Sequence, residues 1–67
     1  MCTVTWRRAG PSYEIFFNRD EQRSRPSAHP PSVLGAAPRR FIAPIDPRAG
    51  GTWLAANEAG LSVCVLN

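Results

Sequence analysis

Lysine is absent from this sequence, histidine occurs once, cysteine twice, and no apolar run approaches the length of a membrane span. Each shortage excludes something. Without lysine there is no phosphate-binding loop of the glycine-rich, lysine-ending kind, so Gly50-Gly51 ahead of Thr52-Trp53 reads instead as a place where two backbones approach closely. Two cysteines permit at most one disulfide, and Cys2, Cys64 and His29 match no zinc-ligand spacing. A transmembrane helix needs about 20 consecutive apolar residues. A signal peptide places its basic residues ahead of its apolar stretch, whereas Arg7 and Arg8 come after Val4 and Trp6. These absences lead us to expect a cytoplasmic protein with no membrane span, no metal and no cofactor.

What is present is arginine: eight against five acidic side chains, for a net charge of +3. A basic balance raises nucleic acid as a partner, but the arginines are scattered from Arg7 to Arg48 rather than gathered in one stripe, so no nucleic-acid partner is expected. Lysine-free, alanine-rich usage fits a GC-rich coding sequence better than a binding surface. The seven prolines fall mostly in the middle, while apolar residues, 43% of the chain, concentrate in 1–17 and 41–67. A chain of this size buries only about 60% of its unfolded surface, against an ordering cost of roughly 1.5 kcal/mol per residue. It therefore needs a dense core or a staple, and the usual staples are missing.

Cys2-Thr3-Val4-Thr5-Trp6 is rich in β-branched and aromatic residues, and Ala9-Gly10-Pro11-Ser12 supplies turn chemistry before Tyr13-Glu14-Ile15-Phe16-Phe17. Strands are predicted over about 2–7, 13–17, 41–45, 52–56 and 61–66, with Asn57-Glu58-Ala59-Gly60 turning the last two into an antiparallel hairpin. From 18 to 40 apolar periodicity vanishes and proline recurs, so this stretch reads as one long loop. The final strand is apolar on both faces and no amphipathic helix can be written anywhere, so its cover is expected to come from outside these residues. The chain thus reads as the N-terminal part of a larger domain. Trp6, Phe16 and Trp53 suit core or pocket wall. Cys64 reads as a buried thiol, with a Cys2–Cys64 disulfide as the alternative. His29 has no catalytic partner in sequence.

The residue with the most chemistry is Cys2. Initiator methionine is commonly removed before a small second residue, which leaves thiol and α-amine on one residue. The amine titrates at about 8 and the thiol at about 8.5, so a free base sits beside its own nucleophile. That is the logic of N-terminal nucleophile catalysis. Its alternative is an ordinary apolar cysteine. Asn18-Arg19-Asp20-Glu21 closes the second strand; if the first two strands form a hairpin, these charges lie beside Cys2, where arginine favours thiolate and a carboxylate orients the amine. The alternative is a solvated turn. Asn67, at a strand end, can direct its amide at a developing oxyanion.

Met1-Cys2, Asn18-Arg19-Asp20-Glu21 followed by Arg25-Pro26, Asp46 ahead of Gly50-Gly51-Thr52-Trp53-Leu54, and Leu66-Asn67 together resemble the NRDE family, whose eukaryotic members are the transport and Golgi organisation protein 2 homologues. The likeness covers essentially the whole chain. That family is in turn similar to the N-terminal nucleophile cysteine amidases of choloylglycine hydrolase type, and Asn57-Glu58-Ala59-Gly60-Leu61 with Leu66-Asn67 matches a second amidase signature. The resemblance implies an α+β fold, an αββα sandwich of which this chain would be a β-rich N-terminal part. It implies Cys2 as nucleophile, Asn67 as oxyanion donor, and Arg19 with Asp20 as the charged catalytic pair. An ungapped overlay instead puts Asn18 under the amidase arginine and Glu21 under its aspartate. With Arg19 and Asp20 as that pair, Asn18, Glu21 and Trp53 are expected at the substrate.

Two functions follow. One is hydrolysis of linear amide bonds, with a small-molecule amide as substrate. The other, implied by the eukaryotic homologues, is a non-catalytic carrier of a hydrophobic ligand such as haem or lipid. In both, the remainder of the domain is an expected partner of these residues.

Overall fold

The computed structural model describes residues 1–66, and antiparallel pairing organises all of it. Strands β1 (Cys2–Ala9) and β2 (Ser12–Arg19) form a two-stranded hairpin. Strands β3 (His29–Leu34), β4 (Phe41–Ile45), β5 (Leu54–Asn57) and β6 (Ser62–Cys64) form a second sheet in the order β3-β4-β5-β6. There is no helix among the described residues, and so none long and apolar enough to cross a membrane. Five of the six strands fall where alternation and turn chemistry predict them.

Residues 18–40, expected as one loop, contain the sixth. Strand β3 survives its two prolines because it lies at the sheet edge, where a missing N–H costs no ladder bond, and because the pairing shifts register between His29 and Ser32 to step over Pro30 and Pro31. The same economy operates in β4. Its pairing to β5 covers only Phe41 and Ile42, ahead of Pro44.

The β1–β2 register runs unbroken from Cys2↔Arg19 to Ala9↔Ser12. Residues directly opposite share a face, so Cys2, Val4, Ile15, Phe17 and Arg19 make one half-buried row, while Thr3, Thr5, Arg7, Glu14 and Asn18 make an exposed one. Tyr13, on the inner row, joins the hairpin to the second sheet: its hydroxyl donates to the Gly60 carbonyl at 2.5 Å and lies 2.8 Å from the Ser62 hydroxyl. Trp6 and Phe16 do not enter a core as expected; they are 68% and 56% exposed, Phe16 because it belongs to the outward row.

In the second sheet both faces are apolar. Ile42 and Ala56 lie on one, Phe41, Ala43, Ala55 and Val63 on the other. Ala43 is the buried hydrophobic residue of the described chain, and Val63, Val65 and Leu61 are each about 60% exposed at 59%, 64% and 61%. The Leu61, Val63 and Val65 face of the last strand is thus left largely exposed by the described residues, whereas Ser62 and Cys64 on its other face are half-buried.

Candidate active site at the strand ends

Antiparallel order brings five strand ends to one place. Cys2 opens β1 and Arg19 closes β2; Asp46 follows β4, Trp53 precedes β5 and Val65 follows β6. Cys2, Arg19, Glu21, Asp46, Ala49, Gly51, Thr52, Trp53 and Val65 line a common cavity of about 220 Å³. That volume is below the roughly 300–1,000 Å³ of a drug-sized ligand site.

Asp46 is the centre of its electrostatics. Its residue is only 4% exposed. Oδ2 accepts from Arg19 Nη2 at 3.0 Å and from Arg25 Nε at 3.0 Å, with Arg25 Nη2 also paired to it. Oδ1 accepts the Arg48 backbone N–H at 3.0 Å. Glu21 contributes the fourth charge, 2.9 Å from Arg19 Nη2 and 3.8 Å from Arg25 Nε. The Arg25 hydrogen bond, helped by the Arg48 amide and by Arg19, holds the Asp46 carboxyl well below the usual carboxylate range, against the opposing effect of desolvation. Arg25 is correspondingly raised, first by its hydrogen bond to Asp46. Two cations and two carboxylates balance in charge, and every one is paired.

Arg19 is held on a third side. Its guanidinium carbon lies 4.0 Å from the Trp53 ring centroid, within cation–π range. Trp53 is thus a pocket wall, fixed by the Val65 N–H, which donates to the Trp53 carbonyl at 2.9 Å.

The expected residues sort as follows. Cys2, Arg19, Glu21 and Trp53 come together. Asp20 does not join them: its Oδ1 accepts from Asn18 Nδ2 at 2.9 Å, on the outward side of the hairpin, so Arg19 is paired with Glu21 and Asp46 rather than with Asp20. Strand alternation separates Asn18 from Arg19 in the same way. Asn67 lies outside the described residues. Neither Cys2 nor Cys64 is in a disulfide. His29 is exposed on the edge strand. Gly50 and Gly51 do not permit a close backbone approach, since a Cβ at either meets nothing within 4 Å; Gly50 is required by its φ of +77° in the turn that carries Asp46.

Sequence reasoning assigned no role to Asp46 or Arg25. The available signal was an aspartate directly after a predicted strand and before a Pro-Arg-Ala-Gly-Gly turn, but nothing local says which arginines it meets. Among the described residues no group of three or more histidine, cysteine and carboxylate side chains is placed to hold a metal ion.

The sequence profile of the transport and Golgi organisation 2 family matches residues 1–67, the whole chain. The chain belongs to that family. No curated protein and no solved structure matches it. Membership of the transport and Golgi organisation 2 family agrees with the resemblance read from Met1-Cys2, Asn18 to Glu21 and Gly50 to Leu54. A larger cavity of this family member lies away from Cys2. It measures about 590 Å³ where β2 meets the second sheet, with Ile15, Pro31, Ile42, Pro44 and Leu54 among its walls.

Proposed function

We propose that this chain is the N-terminal part of an amidohydrolase of the N-terminal nucleophile type, acting on linear amide bonds with Cys2 as nucleophile once Met1 is removed. The observation that carries this reading is the Cys2↔Arg19 register, which sets the thiol in one small cavity with an arginine and two carboxylates. Met1, 88% exposed, is open to an aminopeptidase. In the proposed reaction the α-amine of Cys2 takes the thiol proton as sulfur attacks the carbonyl carbon. The C–N bond then breaks, the amine leaves with that proton, and water releases the acyl group from sulfur. Arg19 is the cation of that cavity, and Glu21, which shares the cavity as Asp20 does not, is the carboxylate we assign to the α-ammonium. Asn67 with a backbone N–H is assigned to the oxyanion. The remaining walls and the αββα sandwich would come from the rest of the domain, a reading supported by the exposed Leu61, Val63 and Val65 face of the second sheet.

The test is direct. Mass analysis of the intact protein is expected to find Met1 gone, and Cys2→Ala to lower amide hydrolysis by about 10⁴-fold or more, as removal of other covalent nucleophiles does. Retained Met1 with activity indifferent to Cys2→Ala overturns the proposal.

The 590 Å³ apolar cavity favours a second reading, a carrier for a hydrophobic ligand such as haem or lipid. Haem titration separates the two: a carrier gives a saturable Soret shift that survives Cys2→Ala, and an amidase gives none.

A further inference from the structure

We propose that Asp46 is the positioning residue of this site, its buried carboxylate fixing the Arg19 guanidinium over Trp53 so that one cation is held in one orientation in the wall of the cavity that Cys2 also lines. The proposal deepens the Cys2 reading and rests on it.

Asp46 is built as an anchor. Its N–H donates to the Gly51 carbonyl at 2.8 Å and its own carbonyl accepts from the Gly50 N–H at 2.7 Å, so the turn from 46 to 51 closes on the aspartate backbone. Oδ1 is committed to the Arg48 amide, which sets the carboxylate plane and leaves Oδ2 for the two arginines. The Asp46 side chain is 6% exposed, against 34% for Glu21, the other carboxylate on Arg19. An ion pair one-third open to water is weakly directional, so Glu21 alone does not fix a long arginine side chain. Trp53 supplies a face for the guanidinium but not its rotation about the ring normal. Asp46 supplies that rotation.

The sign of one measurement separates position from charge. The four charged side chains cancel, so deleting the Asp46 charge leaves a net cation near the sulfur. By Coulomb's law alone that favours thiolate and faster alkylation. If Asp46 acts by position, its loss lets the guanidinium swing away and alkylation slows.

The experiment uses the intact protein carrying Trp6→Phe, which leaves Trp53 as the sole tryptophan of residues 1–67, and Trp6 lies outside the site. Asp46→Asn is expected to raise acrylamide quenching of Trp53 about twofold as the stacked cation departs. It is also expected to slow iodoacetamide labelling of Cys2 at pH 7 by about threefold or more, with the label located by peptide mass. Asp46→Glu keeps the charge and the fold but moves the carboxylate by one methylene, and should change quenching in the same direction by less. Quenching unchanged in either variant, or faster Cys2 labelling in Asp46→Asn, overturns the proposal. If Cys2 of the parent protein labels no faster than Cys64, the nucleophile reading fails instead, and quenching alone still decides the role of Asp46.

Discussion

Asp46 and Arg25 show how a charge can be buried in so small a chain. Every oxygen of the carboxylate has a donor, so desolvation is offset and the carboxyl is held below its ordinary range. The sign of the resulting pH dependence follows. A carboxyl with a depressed folded-state value contributes its full stabilisation above the unfolded value of about 4 and loses it as pH falls through the folded value. We therefore expect Trp53 emission to hold constant from neutral pH down to about 4 and to change only in stronger acid. A transition centred between pH 5 and 7 would show that the cluster does not form. Exposed pairs behave differently. Arg7 to Glu14 at 2.8 Å, with side chains 68% and 45% exposed, is expected to contribute little, and Glu14→Gln to leave the thermal midpoint nearly unchanged.

At the scale of elements, the β5–β6 hairpin is the most locally specified part of the chain. Asn57 Oδ1 accepts the Ala59 N–H at 3.0 Å and the Leu61 N–H at 2.9 Å, and Gly60 takes a φ of +87°. An L side chain at that angle is strained by roughly 1–2 kcal/mol. Gly60→Ala is thus expected to destabilise the hairpin by about that much, seen as a lower midpoint in urea, even though its Cβ would meet no atom within 4 Å. An unchanged midpoint would mean that the turn is not held in this form. Strand β3 marks the contrary case. Its Pro30-Pro31 pair is incompatible with a central strand and compatible with an edge, and only neighbours distant in sequence decide which one a segment becomes.

At the scale of the molecule, polar links at opposite ends of β2 tie the hairpin to the second sheet: Tyr13 to Gly60 and Ser62, and Arg19 to Asp46. Removing the Tyr13 hydroxyl leaves the Gly60 carbonyl without that donor, at a cost of about 0.5–1.5 kcal/mol. Tyr13→Phe should accelerate hydrogen exchange in β1 and β2 while sparing β4; equal exchange throughout would show that the hydroxyl does not hold the sheets together. The apolar faces of the second sheet are the other whole-molecule feature. Leu61, Val63 and Val65 are largely exposed, so burial of this face contributes little to the stability of the described residues.

Alternation and turn residues are local properties, and they determined five strands and the β5–β6 hairpin, while the motifs from Met1-Cys2 to Leu66-Asn67 determined the family. That the charges after the second strand lie beside Cys2 followed only if the first two strands pair, and the register Cys2↔Arg19 was supplied by the fold. The separation of Arg19 from Asp20, the edge placement of β3, the gathering of Asp46, Glu21 and Trp53 in the cavity of the cysteine, and the pairing of Arg25 with Asp46 behind it were decided only by tertiary structure. The reason is physical. A side chain's face is fixed by the period of its own strand, whereas its charge partner is fixed by which strand ends converge, and that depends on sheet order and register across a sequence separation of 27 residues between Arg19 and Asp46.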